Sequence, residues 1–260
     1  MISIILPIKN RHLFIKKCLQ SIIKQESEFE ELIIIDDKAD IDHVKYIKKF
    51  LLSNLSSKKY KIVKNLHVNN NAGSARDFGI NIAKQDYIAF IDDDDIWPDN
   101  YLKSRKKLIL ENKCFFSASP YAYFDEELNY IREIKHKNKI FNKSDFLLKN
   151  PIANSTVIIK KSLIIKAGGY SHLFKRNDFA TWLNILNFND CHYFNEIENV
   201  KVLRRKGSLS SKKYTLLIYQ FKAFREGKLS IINSIIFTLI FTLKGIIKSL
   251  KRHLSLSLKK

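Results

Sequence analysis

The feature that most limits what this chain can become is a rhythm in its first half. Short, largely apolar runs alternate with stretches of helical spacing. Ile2–Ile8, Leu32–Ile35, Ile62–Val68 and Tyr87–Ile91 are the runs. A strand with one solvated face alternates polar and apolar side chains, so mainly apolar runs predict strands covered on both faces, as in a parallel sheet between helices. Helices are expected between them, near His12–Gln25, His43–Leu55 and Ser74–Lys84. Strand, helix, strand at this pace, with right-handed crossovers, predicts an α/β fold: an open, doubly wound, Rossmann-like and mostly parallel central sheet flanked by helices. Ligands of such sheets bind beyond the carboxyl ends of the strands.

Those ends are polar. The first run leads into Lys9-Asn10-Arg11, the second into Asp36-Asp37, the third into Asn69-Asn70-Asn71-Ala72-Gly73 and the fourth into Asp92-Asp93-Asp94-Asp95. Carboxylates repel a bare diphosphate unless a divalent ion lies between them, so a phosphate-bearing ligand with a metal is the natural occupant. Continued strand alternation would turn Asp92 and Asp94 toward one ligand and Asp93 and Asp95 toward another. A plainer role for Asp95 is the N-cap of a helix starting near Pro98. Neither G-x-G-x-x-G nor G-x-x-x-x-G-K-[ST] occurs, against a dinucleotide dehydrogenase and a P-loop NTPase. The seven histidines show no metalloprotease spacing. Cys18, Cys114 and Cys191 are isolated and odd in number, which supports neither a disulfide framework nor a zinc site and fits a reducing compartment. The N-terminus lacks a basic region and a cleavage site and is expected to be a buried strand.

Beyond residue 110, Phe115–Phe124 and Ser155–Ile159 are expected as strands, and Phe141–Lys149, Lys161–Ala167 and Asp178–Asn189 as helices. Gly168-Gly169 suits the left-handed close of a helix. The net charge of +20 is uneven: residues 201–260 hold 15 of the 46 Lys and Arg and a single acid, Glu226. The excess points to an anionic partner, a membrane surface or a nucleic acid, or simply to lysine on solvated faces. Ile231–Leu243 is nearly all apolar and is followed by Lys244, Lys248, Lys251 and Arg252. It is shorter than the roughly 20 residues that span a bilayer. The pattern fits an interfacial helix on anionic lipid, or a C-terminal helix packed on the core or in a dimer.

Ser3-Ile4-Ile5-Leu6-Pro7-Ile8-Lys9-Asn10-Arg11, Ile33-Ile34-Ile35-Asp36-Asp37, Asn71-Ala72-Gly73-Ser74-Ala75-Arg76-Asp77-Phe78-Gly79 and Asp86–Asp95, in this order, resemble the motif set of family-2 glycosyltransferases with the GT-A fold. Gly168-Gly169-Tyr170 and Asn177-Asp178-Phe179-Ala180-Thr181-Trp182-Leu183 resemble that family's GG[FY] turn and [ED]-D-x-x-x-W-L segment. The resemblance runs from about residue 2 to 210. It implies a GT-A domain over 1–210, with a nucleotide-sugar half at 1–110 and an acceptor half at 111–210, and a basic helical appendage at 211–260.

The implied activity is inverting transfer of a sugar from a nucleotide-diphosphate donor, a UDP-sugar, to a hydroxyl of a glycan or lipid-linked acceptor in cell-surface polysaccharide synthesis. The implied cofactor is Mg²⁺ or Mn²⁺, held by Asp94 with Asp92, and Asp178 stands at the general base. Pro7, Asn10, Arg11, Asp37, Gly73, Arg76, Asp92, Asp93 and Arg205 are implied on the donor side. Each has a structural alternative: Arg76 as a helix-surface ion pair, Asp178 as the N-cap of the helix carrying Trp182, and Arg204-Arg205-Lys206 as a basic turn. Asn154-Ser155-Thr156 would line the acceptor side or mark a strand edge, and His172 would touch an acceptor or lie on the surface. Asn177 stands where an acid is common, leaving one candidate base, and Leu203 and Arg205 replace an Arg and a His that contact the diphosphate. The expected place of work is the cytoplasmic face of a membrane, without nucleic acid and with oligomeric state open. A sugar nucleotidyltransferase remains a competing reading, although the loop after the first strand lacks glycine, as does a nucleic-acid-binding protein, although acidic strand ends would repel a phosphate backbone.

Overall fold

In the computed structural model, which describes residues 1–10, 12–66, 71–137, 139–204 and 213–257, the first half builds a sheet from its apolar runs. Strands β1 (Ile2–Ile8), β2 (Glu31–Asp36), β3 (Tyr60–Lys64) and β4 (Tyr87–Phe90) alternate with helices α1 (His12–Ile23), α2 (Ile41–Asn54) and α3 (Ala72–Ile82), and α4 (Tyr101–Glu111) follows. Next come β5 (Phe116–Ala118), β6 (Tyr121–Phe124), β7 (Tyr130–Ile134), β8 (Lys139–Phe141), α5 (Lys143–Leu148), β9 (Ile158–Lys160) and α6 (Lys161–Lys166). The chain continues through α7 (Asn177–Ile185), β10 (Cys191–Tyr193), β11 (Val200–Leu203), α8 (Lys213–Glu226) and α9 (Ile231–Ser257).

Among the described residues, eight strands form one sheet in the order β3-β2-β1-β4-β9-β5-β10-β8. The first four are mutually parallel; β9 runs antiparallel to both β4 and β5, and β10 returns to the parallel sense beside β5. A second sheet, β11-β6-β7, is joined to the first half by an antiparallel bridge from Lys201 to Ile96.

Period-two alternation explains how the sheet is covered. Ile5, Ile33, Ile35, Ile88 and Phe90 face one core with side chains of α3, α6, α7 and α8. Ile4, Leu6, Leu32, Ile34, Ala89 and Ile91 face the other, against α1, α2 and α4. Each deeply buried Ile or Leu contributes about 1.5–3 kcal/mol relative to exposure, and β1 is buried along its whole length.

Several expectations are corrected. The third run yields β3, a half-buried edge strand that ends at Lys64, and Val68 lies outside the described residues. Phe115–Phe124 is two strands in two sheets, parted at Ser119-Pro120, where proline has no N–H for a ladder. Asn154–Thr156 is a 3₁₀ turn before β9, not the start of a strand, and Phe141 belongs to β8. The helix at Asp178–Asn189 begins one residue earlier and ends at Ile185. The helix after Pro98 starts at Tyr101 behind Asn100, whose φ of 58° is left-handed, so Asp95 is not its cap. The three cysteines are buried and free.

Candidate active site

Parallel β1, β2 and β4 deliver their carboxyl ends to one edge, and β9, running the other way, brings its beginning there. Asp37 follows β2; its N–H donates to the Ile8 carbonyl at 3.0 Å and its Oδ1 accepts from Asn65 Nδ2 at 3.1 Å. Helix α3 starts in a reciprocal cap: Asn71 Oδ1 accepts from the N–H groups of Gly73 and Ser74, and Ser74 Oγ accepts from the Asn71 N–H. A Cβ on Gly73 would lie 2.2 Å from the Ser171 carbonyl oxygen, so the bare glycine lets the loop after α6 close on α3. That loop is the Gly168-Gly169-Tyr170 turn, with φ of 102° and 82° at its glycines. Asp77 of α3 accepts from the Tyr170 N–H at 2.7 Å and lies 3.2 Å from His172 Nε2, which assigns His172 a structural partner.

The tetra-aspartate run is not a continued strand. β4 stops at Phe90, and the Asp95 N–H donates to the Asp92 carbonyl at 3.0 Å, closing a turn. Strand alternation therefore fails. Oxygens of Asp92, Asp94 and Asp95 converge within 4.8 Å of one another, while Asp93 turns away to accept from the Lys9 N–H at 3.0 Å. Asp95 is buried and fully engaged, accepting from Ser155 Oγ at 2.5 Å and from the Leu203 N–H at 3.1 Å. Burial first, then the fields of Asp94 and Asp92, push its carboxyl well above the usual range. Clustered carboxyl oxygens under this strain are a hard-oxygen donor set that suits Mg²⁺ or Mn²⁺.

The turn is braced from across the sheet. Asn154 Nδ2 donates to Asp92 Oδ1 at 2.9 Å, and Ser155 Oγ accepts from the Asp92 N–H at 3.1 Å. Tyr170 O–H donates to Asn154 Oδ1 at 2.8 Å, and its ring lies 5.2 Å beneath the Arg76 guanidinium. Arg76, 6% exposed, is 2.5 Å from Asp92 Oδ1, so it is a buried partner of the acid turn and not a helix-surface pair. Burial alone would lower its pKa; Asp92 and then Tyr170 outweigh that and fix its charge. Asn154 and Ser155 therefore brace the acid turn, a role beyond the acceptor side or strand edge expected of them, because the reversal of β9 is invisible to local pattern.

A cavity of about 130 Å³ opens at this edge. Pro7, Asp37, Arg76, Asp92 and Asp93 line it with Asn71, Phe174 and Asn177. Asp178 follows Asn177 in the first turn of α7, where free N–H groups favour negative charge. The N-cap is Arg176, with φ of 62°, so Asp178 is not the cap. Its field bears on both Arg76 and Tyr170, and Asn150 Nδ2 lies 3.4 Å from its Oδ2. Asn10 is exposed and accepts from the Asp40 N–H at 2.6 Å, tying the end of β1 to the start of α2. Arg11 and Arg205 lie outside the described residues. A larger groove of about 1240 Å³, lined by residues including Lys24, Trp97 and Glu198, contains none of these carboxylates.

A family model described as glycosyl transferase family 2 matches residues 3–167. An uncharacterized glycosyltransferase of Haemophilus influenzae is 28% identical over 252 residues, covering 95% of this chain and 97% of that protein. The UDP-Glc:alpha-D-GlcNAc-diphosphoundecaprenol beta-1,3-glucosyltransferase WfaP of Escherichia coli is 28% identical over 260 residues, covering 95% of each. In structure, S. aureus TarS 1–349 in complex with UDP-GlcNAc superposes with a TM-score of 0.71 at 17% identity, over 92% of this chain and 71% of that one. This likeness concerns the fold.

Proposed function

The chain belongs to glycosyl transferase family 2, and from that premise we propose that it moves a sugar from a UDP-sugar to a hydroxyl of a lipid-linked glycan, with inversion, in cell-surface polysaccharide synthesis at the inner face of the membrane. The observation that carries this reading is the meeting of an acid turn, a buried arginine and the first turn of α7 around one cavity. The nucleotidyltransferase and nucleic-acid-binding alternatives give way to the family.

In the proposed step, the Asp178 carboxylate takes the proton of the acceptor hydroxyl. The hydroxyl oxygen bonds to the anomeric carbon from the face opposite the diphosphate, and the bond from that carbon to the phosphate oxygen breaks, its electron pair leaving with the nucleoside diphosphate. Asp94 and Asp92 are the residues that would hold Mg²⁺ or Mn²⁺, which when bound compensates charge on the leaving diphosphate. Asp95, with both oxygens engaged, fixes the turn. Pro7, Asp37 and Asn71 present a wall for the nucleoside. Arg76 holds Asp92 and adds positive potential. The lipid-linked acceptor is supported by the activity for which the Escherichia coli relative WfaP is named, and the UDP donor by that activity and by the ligand of the structural neighbour.

A thermal-shift screen of nucleotide sugars with Mn²⁺ tests the donor, because a ligand that binds the folded state raises Tm by mass action. A shift with UDP-sugars that vanishes on chelation is expected; no shift with any nucleotide sugar overturns the reading.

A further inference from the structure

Among the described residues no helix is long and apolar enough to cross a membrane, yet α9 carries apolar side chains on two opposite faces. The inner face belongs to the protein. Ser234 and Thr238 are buried, and Phe241 packs 5.8 Å from Phe179 of α7 and beside Phe224 of α8, as does Phe237. The outer face bears Ile232, Ile235, Ile236, Leu239, Leu243 and Ile247, each between 45% and 70% exposed. Their spacing is that of one stripe along a helix, on the side where a helix of a soluble domain is ordinarily polar.

Charge decides what covers this stripe. Residues 231–257 contain no acid, and Lys244, Lys248, Lys251 and Arg252 follow the apolar segment within the same helix. A second copy docked through the same face would bring two basic helices together. An anionic surface would attract them. We infer that α9 lies in the interface of a bilayer containing anionic phospholipid, its outer isoleucines and leucines at the acyl boundary and its lysines among the headgroup phosphates.

The docked helix is joined to the chemistry. Phe241 sits 5.3 Å under the guanidinium of Arg176, the residue immediately before α7. On the reading proposed above, bilayer contact therefore brings the first turn of α7 and Asp178 toward lipid-borne acceptors. The docking itself does not depend on that reading and is measured without acceptor.

The test is flotation of the full chain with phosphatidylcholine vesicles, with and without phosphatidylglycerol. Binding is expected with the anionic vesicles, falling as salt rises. The double variant Leu239→Glu, Leu243→Glu should lower the bound fraction at least about tenfold, with Tm and UDP-sugar hydrolysis in vesicle-free solution unchanged, because both side chains point away from the core. Ile232→Glu, at the most exposed position of the stripe, repeats the test independently. Lys244→Glu should weaken anionic-vesicle binding alone. Absence of wild-type flotation, or flotation of the double variant like wild type, overturns the inference. So does a dimer in sedimentation velocity that the double variant dissolves with no vesicle binding, since a second copy then covers the face.

Discussion

Asp178 and Asp94 carry different proposed roles, base and metal ligand, and their losses should be separable. Asp178→Asn keeps the shape and hydrogen-bonding capacity of the side chain but not its basicity. Turnover should fall by about 10²–10⁴-fold while the nucleotide-sugar thermal shift persists; undiminished turnover would end the base assignment. Asp94→Ala should remove the Mn²⁺-dependent part of that shift. Asn154→Ala deletes a donor to Asp92 and an acceptor for Tyr170. A loss of about 1–2 kcal/mol, read as roughly tenfold in kcat/KM, is expected if the brace matters. The run of acids announced itself in the sequence because four carboxylates beside an apolar strand need a reason. Which of them converge could not be read there, since the answer turns on the backbone leaving the extended form after Phe90. Asn154 was equally hidden: an amide in a short polar segment has no local mark of the aspartate 62 residues away that it touches.

At the scale of elements, Glu31 is a test of how β1, β2 and the end of α3 are held together. Its carboxylate accepts from Ser3 Oγ at 2.7 Å and from the Lys84 N–H at 2.5 Å, and lies 3.3 Å from Lys61 Nζ. Burial pulls its pKa up, but the Lys84 and Ser3 hydrogen bonds and the Lys61 charge outweigh it, leaving the pKa below the ordinary 4.5. A carboxylate with a lowered folded pKa contributes stability that is present above its unfolded value and is lost as pH falls through the folded one. Glu31→Gln should therefore cost about 1–2 kcal/mol at pH 7, and urea titrations should show the gap to wild type closing below about pH 4. The strands and helices of the first half were legible because each buries a face with its own period. In the second half the helices α6 and α7 were legible, but β7, β8, β10 and β11 are three to five residues long, too short for a period to register, and only the chain beyond them decides which sheet each joins.

For the whole molecule, the C-terminal segment is both surface and core. Ala223, Phe224 and Leu229 belong to the same buried cluster as Trp182 and Phe90, and Phe237 and Phe241 pack on it. Ending the chain at 228 would uncover Phe179 and Phe224, so that truncation should yield an aggregating protein, checked by size-exclusion chromatography. Phe241→Ala should destabilise by about 2–4 kcal/mol in chemical denaturation. Sequence alone left open whether this helix met lipid or protein, because an apolar run does not say which of its sides the rest of the chain will take.

The reversed strand β9 also orders events in time. Four parallel strands and their crossover helices are encoded before residue 91, yet the groups that steady the acid turn, Asn154 and Ser155, emerge from the ribosome some sixty residues later. A nascent chain halted between the two has the Lys9 and Arg76 contacts to its carboxylates but lacks those of Asn154 and Ser155. The acid turn thus gains its full set of hydrogen-bond partners only once the chain has been made past Leu203, whose N–H reaches Asp95.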